Sequence, residues 1–265
     1  MNRKRLRGLV VAVGLAGALA VVFVVPSHIT EAPQVGGEIN LQLLTDAGMD
    51  PFTVSVVAAA ATPPAAGSTT GQPAANPSPA PTSAGGAPDT RVASGSDPGL
   101  YAGIRGVSSC DAGKLSMLLS TDASRASAWA LAQHIAMSDV GALIKSLTSA
   151  VLRQDVRVTA HGYRNRAATT YQAVLQSGTA VLVDPRGTPR VRCVSGDPLS
   201  PPGAPAVQPV YLGIRWPGFG AASVETVRPA TGPLMRLILF DLTGRGSFAR
   251  PIAGDGTTDT SSLSG

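Results

Sequence analysis

The sequence predicts an α+β fold: three short helices packed on a mostly antiparallel β-sheet, preceded by a transmembrane or signal helix and a disordered linker. Three observations carry this. Apolar residues recur at helical spacing between Cys110 and Val151, and the period changes to alternation after Leu152. An unbroken apolar run, Leu9 to Val25 (LVVAVGLAGALAVVFVV), stands behind the basic stretch Asn2-Arg3-Lys4-Arg5-Leu6-Arg7. Residues 58–96 are Ala, Pro, Gly, Ser and Thr with almost no large apolar side chain.

Residues 1–8 read as a cytoplasmic basic tail and residues 9–25 as a transmembrane anchor or signal core. A run of about 17 residues lies at the lower limit for a spanning helix and just above the length of a signal-peptide core. Under the positive-inside bias the cationic head stays in the cytoplasm and everything after Val25 crosses. Val25-Pro26-Ser27 before His28 is the one passable cleavage site. It presses against the apolar core without a polar spacer, which favours a single-pass anchor over secretion after cleavage.

Residues 26–57 form an extracytoplasmic β-prone segment. Glu38 to Leu44 (EINLQLL) and Phe52 to Val57 flank the turn-rich Thr45-Asp46-Ala47-Gly48-Met49-Asp50-Pro51, and they pair as a hairpin or add to a sheet downstream. The linker, 58–96, cannot bury enough surface to order itself. As a flexible tether its mean reach is ~35 Å, enough to hold a domain off a membrane or to let the 38–44 segment dock back.

The globular extracytoplasmic domain spans 97–252, a comfortable length for one core. Ser109 or Asp111 caps a first helix running to about Ser120, with Leu115, Leu118 and Leu119. Asp122 caps a second, whose Ala128, Leu131, Ala132 and Ile135 make an apolar stripe. Ser138 or Asp139 caps a third, with Val140, Leu143, Ile144, Leu147 and Val151 on one face. Strands follow: Val156 and Val158 alternate with Arg157 and Thr159, and Thr170 to Gln176 and Thr179 to Val183 are β-prone. Asp184-Pro185-Arg186-Gly187 has the type I turn pattern and leads to a hairpin partner, Arg190 to Cys193. Beyond a Pro-rich loop, Ser195 to Pro209, and a weak segment from Tyr211 to Trp216, Leu234 to Leu242 folds back through Thr243-Gly244-Arg245-Gly246 onto Ser247 to Ile252. Residues 253–265 read as a flexible tail.

Beyond the membrane run, 17 basic residues stand against 16 acidic ones, so the exported part is near neutral. The sequence pI of about 9.7 reports an orienting tail, and nucleic acid is not an expected partner. Cys110 and Cys193 both fall on the exported side, and an even pair in an oxidising compartment reads as one disulfide. Without CxxC spacing they make neither a thioredoxin-like site nor a zinc site.

Several stretches are similar in order and content to a family of exported actinobacterial (Streptomyces-type) proteins built around a domain of unknown function. They are Gly37-Glu38 with Asp50-Pro51-Phe52-Thr53, Gly99-Leu100-Tyr101 with Ser109-Cys110-Asp111, Val151-Leu152-Arg153 through Arg157-Val158-Thr159, His161-Gly162-Tyr163-Arg164, Val174-Leu175-Gln176 with Gly178 to Asp184, and Pro189 to Cys193. The resemblance implies an N-terminal signal or membrane segment, a Pro/Ala-rich linker and no assigned activity.

The densest polar cluster is Arg153 to Arg166 (RQDVRVTAHGYRNR), where Arg153, Arg157, His161, Tyr163 and Arg164 form the candidate surface for a ligand or partner. Arginines suit carboxylate or phosphate, and a tyrosine can stack on a ring, so an anionic cell-wall or lipid head group or an envelope protein fits. The plainer reading is an outer strand face with solvated arginines and a turn at His161-Gly162. His28, His134 and His161 lack ligand spacing, no G-x-S-x-G elbow exists, and Asp255-Gly256-Thr257-Thr258-Asp259 lacks the closing Glu of a calcium loop. Neither a metal nor a cofactor is implied, and no residue stands out as catalytic. The expectation is a membrane-anchored extracytoplasmic binding or interaction module of the cell envelope without catalytic activity, with a cell-envelope hydrolase as the alternative.

Overall fold

The computed structural model describes residues 37–59, 91–204, 208–244 and 246–261. The apolar run 9–25 and most of the linker lie outside the described residues. No helix among the described residues is long and apolar enough to cross a membrane.

Short strands dominate, with three helices between the third and fourth. In chain order the strands are β1 (Glu38–Gln42), β2 (Arg91–Ser94), β3 (Tyr101–Gly103), β4 (Thr148–Leu152), β5 (Val156–Arg164), β6 (Ala167–Leu175), β7 (Ala180–Val183) and β8 (Pro189–Arg192), then β9 (Asp197–Ser200), β10 (Val210–Leu212), β11 (Glu225–Arg228), β12 (Arg236–Asp241), β13 (Ser247–Pro251) and β14 (Thr260–Ser261). The helices are α1 (Ala112–Ser120), α2 (Ala123–Ala132) and α3 (Val140–Ser146). One run of strands goes β10-β1-β6-β5-β9, and a second continues β9-β8-β7-β4-β3-β12-β13-β14, so β9 belongs to both. Antiparallel pairing prevails; the parallel pairs are β1 with β6 and β10, β11 with β2 and β5, and β3 with β12.

Alternation sorts side chains between two cores. Val156, Val158 and Ala160 of β5 meet Leu152, Val181, Val183, Leu239 and Phe248 in a core between the two runs. Leu182, Val191 and Cys193 point the other way, onto Leu115, Leu119, Trp129 and Ile144 of the helices. A third cluster covers β1 and β6 with Ile39, Leu41, Val174, Trp216 and Val224.

Local signals placed the helix starts. Asp111 accepts from the backbone N–H of Lys114 at 2.7 Å and Asp122 from that of Arg125 at 3.0 Å, each satisfying an orphan donor of a helix N-terminus. The Asp184 turn forms with Gly187 at φ 73°, where a Cβ would stand 2.1 Å from the carbonyl oxygen of Gly95, so only glycine fits.

Non-local pairing overrides the sequence elsewhere. The third helix starts at Val140 behind Asp139, whose side chain makes no capping bond, and it stops at Ser146 because Thr148–Leu152 is recruited as β4 between β3 and β7. Leu131 lies exposed at 61 %, while Trp129 takes the buried face of α2. Residues 52–57 make no hairpin with β1 and run instead along Cys193 and Ser195, with Val57 bridging Cys110. The strand expected to turn at His161-Gly162 continues to Arg164, and the reversal falls at Asn165 and Arg166, both at positive φ. The Pro-rich loop contains β9, Arg91–Ser94 of the expected linker is β2, and Thr260–Ser261 of the expected tail pairs with β13.

Candidate functional site

The structure does not gather the five predicted surface residues into one patch. Arg153 sits before β5, donating to the carbonyl of Gly99 at 2.9 Å and stacking 4.4 Å over the ring of Phe240. Arg164 lies at the far end of β5, exposed and paired with Asp50 at 3.4 Å. Tyr163 is half-buried between Phe52 and the guanidinium of Arg125, which stands 4.4 Å from its ring centroid. Arg157 and His161 are buried at 6 % and 7 % exposure, so of the arginines expected to be solvated only Arg153, Arg164 and Arg166, towards the ends of the stretch, are exposed. Asp155, read as part of that cluster, instead accepts from the indole N–H of Trp216 at 3.1 Å and the backbone N–H of Ser177 at 2.8 Å.

What β5 does present is a polar ladder. Its alternation puts Arg157, Thr159 and His161 on one face, opposite Gln172 and Thr170 of β6 and Ser200 of β9. Gln172 donates to Thr159 at 2.8 Å, Thr159 donates to the carbonyl of Pro201 at 2.9 Å, and Arg157 donates to Gln172 and the carbonyl of Ala204 at 3.3 Å each. His161 stands between two hydroxyls, Nδ1 3.1 Å from Thr170 Oγ1 and Nε2 3.1 Å from Ser200 Oγ. Burial pushes the His161 imidazole down to about 4, aided by His134, so it is neutral at pH 7.

Ser200 links this ladder to a half-open concavity of about 310 Å³ between the end of α2 and the strands. Gln133, His134, Asp184, Thr188, Arg190 and Ser200 supply its polar groups, with Ala132, Pro201 and Pro229 as an apolar shelf. Arg190 Nε donates to Gln133 Oε1 at 2.8 Å and Arg190 pairs with Asp184 at 3.4 Å, which orients the guanidinium at the rim. The hydroxyl of Thr188 is buried without a partner. Sequence reasoning missed this site because its members lie on four elements, and only His134 drew notice, as an isolated residue.

Two further constellations are buried. Cys110 and Cys193 form a disulfide with Cα atoms 5.9 Å apart, joining the start of α1 to the end of β8. Arg250, wholly buried, donates to both oxygens of Asp259 at 2.9 and 2.7 Å and to the carbonyls of Ser149, Ile104 and Val107. Asp259 is thereby a structural partner of Arg250. Among the described residues no group of three or more His, Cys, Asp or Glu stands together as a metal site.

The sequence profile of a family described as a domain of unknown function (DUF6777) matches residues 91–253. No curated protein and no solved structure matches the chain.

Proposed function

The chain belongs to the DUF6777 family, a domain of unknown function, and from that premise we propose that it is a membrane-anchored extracytoplasmic binding module of the cell envelope. The observation that carries the reading is the concavity at the end of α2, where a held guanidinium, an unpartnered hydroxyl and a histidine converge beside an apolar shelf. That set suits an anionic or hydroxyl-rich cell-wall fragment: Arg190 and Thr188 Oγ1 donate, and the prolines pack on the carbon skeleton. The disulfide supports an oxidising compartment, and the run Leu9 to Val25 supports the anchor.

Titrating the protein with soluble peptidoglycan fragments while recording amide NMR spectra tests the site. Shifts centred on Gln133, His134, Thr188 and Arg190, lost in Arg190→Ala, are the expected result; shifts confined elsewhere, or none, sink it.

A second reading, an envelope hydrolase, is favoured by one contact. Neutral His161 has Nε2 within reach of Ser200 Oγ at the edge of the same concavity, the arrangement of a base beside a nucleophile. Its other nitrogen meets Thr170, a neutral hydroxyl, where a triad has a carboxylate to stabilise the imidazolium. Fluorophosphonate labelling separates the two readings: an adduct on Ser200 establishes the hydrolase, and an unlabelled Ser200 leaves the binding module.

A further inference from the structure

Residues 37–59 lie outside the matched family domain, yet the domain holds them along their whole length. β1 fills the slot between β6 and β10, parallel to both, with Ile39 and Leu41 buried on Val174, Trp216 and Val224. Phe52 and Val56 are fully buried among the helices. Most of the other contacts capture backbone, as a polypeptide-binding groove does. Thr53 and Val56 donate their N–H groups to the carbonyls of Ser195 and Cys193 at 2.8 Å each, and Asp197 accepts from the N–H of Phe52 at 3.0 Å. Cations of the domain take the carbonyls: Lys114 that of Ser55 at 2.8 Å, Arg192 those of Leu43 at 2.8 Å, Ala47 at 3.2 Å and Asp46, and Arg125 that of Phe52.

The middle of the segment is seated less well than its ends. Where residues 43–53 cross Arg192 and Asp197, two buried polar atoms lack partners: Arg192 Nε and the hydroxyl of Tyr171. Lifting the segment rehydrates them, which offsets part of the burial lost on opening. The segment joins the domain through 31 residues, 60–90, and connections of that length give a tethered ligand an effective concentration on the order of mM. A second copy competes for the groove when its concentration approaches that level.

We infer that this groove accepts residues 37–59 of a second copy as well as its own, so that two chains pair by exchanging the segment. The second copy is the fitting partner because the slot is matched to this sequence: apolar pockets for Ile39 and Leu41 at one end and for Phe52 and Val56 at the other, with cations spaced for the carbonyls between. The inference stands independently of the ligand site at the end of α2.

The test uses the full chain in ¹⁵N-labelled and unlabelled forms, each with a protease recognition sequence inserted after Gly71. The forms are mixed over a concentration series up to ~1 mM, cut, and read at once by native mass spectrometry, with samples cut first and then mixed as background. Exchange gives unlabelled N-terminal fragments on labelled bodies, and the converse, in a fraction that rises with concentration and exceeds the background. Matched pairs alone at every concentration overturn the exchange, and a fragment that leaves the body on cutting overturns the groove itself.

Discussion

Two buried residues impose opposite pH dependences on this fold. Burial raises the Asp197 carboxyl from 3.8 to about 7, against the opposing pull of the Ser195 side chain, the Phe52 N–H and Arg192. The folded chain therefore holds a proton that the unfolded chain has released, and the stability this brings is present at acid pH and lost as pH rises through about 7. His161, lowered from 6.5 to about 4, does the reverse: the unfolded chain binds the proton first, so stability falls on acidification from 6.5 towards 4. Each full proton is worth about 1.4 kcal/mol per pH unit, and over the shared window the two slopes cancel. Asp197→Asn is expected to leave a protein that loses stability as pH drops from 6.5 to 4.5, and His161→Gln one that gains it. Thermal melts of both variants and the parent across that range check this; parallel curves would show that neither group titrates as its burial dictates. At the same scale, the disulfide closes a sequence separation of 83 residues, for which chain entropy gives about 4.5 kcal/mol. Cys110→Ser combined with Cys193→Ser should lower the urea midpoint accordingly, and an unchanged midpoint would deny the crosslink its stabilising role.

Elements whose cause is local were legible in the sequence. Asp111, Asp122 and the Asp184 turn act within four residues of themselves, and each is in place. The misread elements are those decided by distant partners. β9 carries Pro198 and no apolar alternation, and it is a strand because β5 and β8 flank it. The extension of β5 through His161-Gly162 follows from its pairing with β6 up to Arg164 and Ala167, which no window centred on the glycine reveals. The candidate surface is dispersed for the same reason. Alternation correctly put Arg157 opposite Val156 and Val158, but what covers that face, the stretch Pro201 to Ala204, is set by the path of the chain after β9. β1 tests how far such dependence reaches, since among the described residues β10 pairs with no other strand. Leu41→Ala removes a side chain 6 % exposed and should weaken this docking by about 2–5 kcal/mol. Hydrogen exchange is expected to accelerate at 210–212 in step with 38–42, while the β5 and β6 amides at 159–162 and 169–172 keep their protection. Protection of β10 that survives the loss of β1 would mean the edge is held by side-chain packing instead.

At the scale of the whole molecule, the docking of β1 changes what the linker can do. A tether over 58–96 was expected to hold the domain off the membrane or to let the 38–44 segment dock back, and the second is what is seen, since both of its flanks belong to one folded body: Ala58 donates to the carbonyl of Ser109, and Arg91 opens β2. Residues 60–90 therefore leave and re-enter the same body, and their length adds nothing to its distance from whatever precedes Gly37. With the proposed anchor at Leu9 to Val25, only residues 26–37 separate the membrane from β1, a span of at most about 40 Å when fully extended. An anchor there would hold the body close to the bilayer by its β1 side. Two insertions of 20 Gly/Ser residues separate this arrangement from a tethered one. Placed after Gly71, the insertion should leave energy transfer between a dye on the domain and a membrane-surface acceptor unchanged; placed after Pro33, it should reduce it. An insertion after Gly71 that moves the domain outward would show that β1 is not seated in the anchored protein.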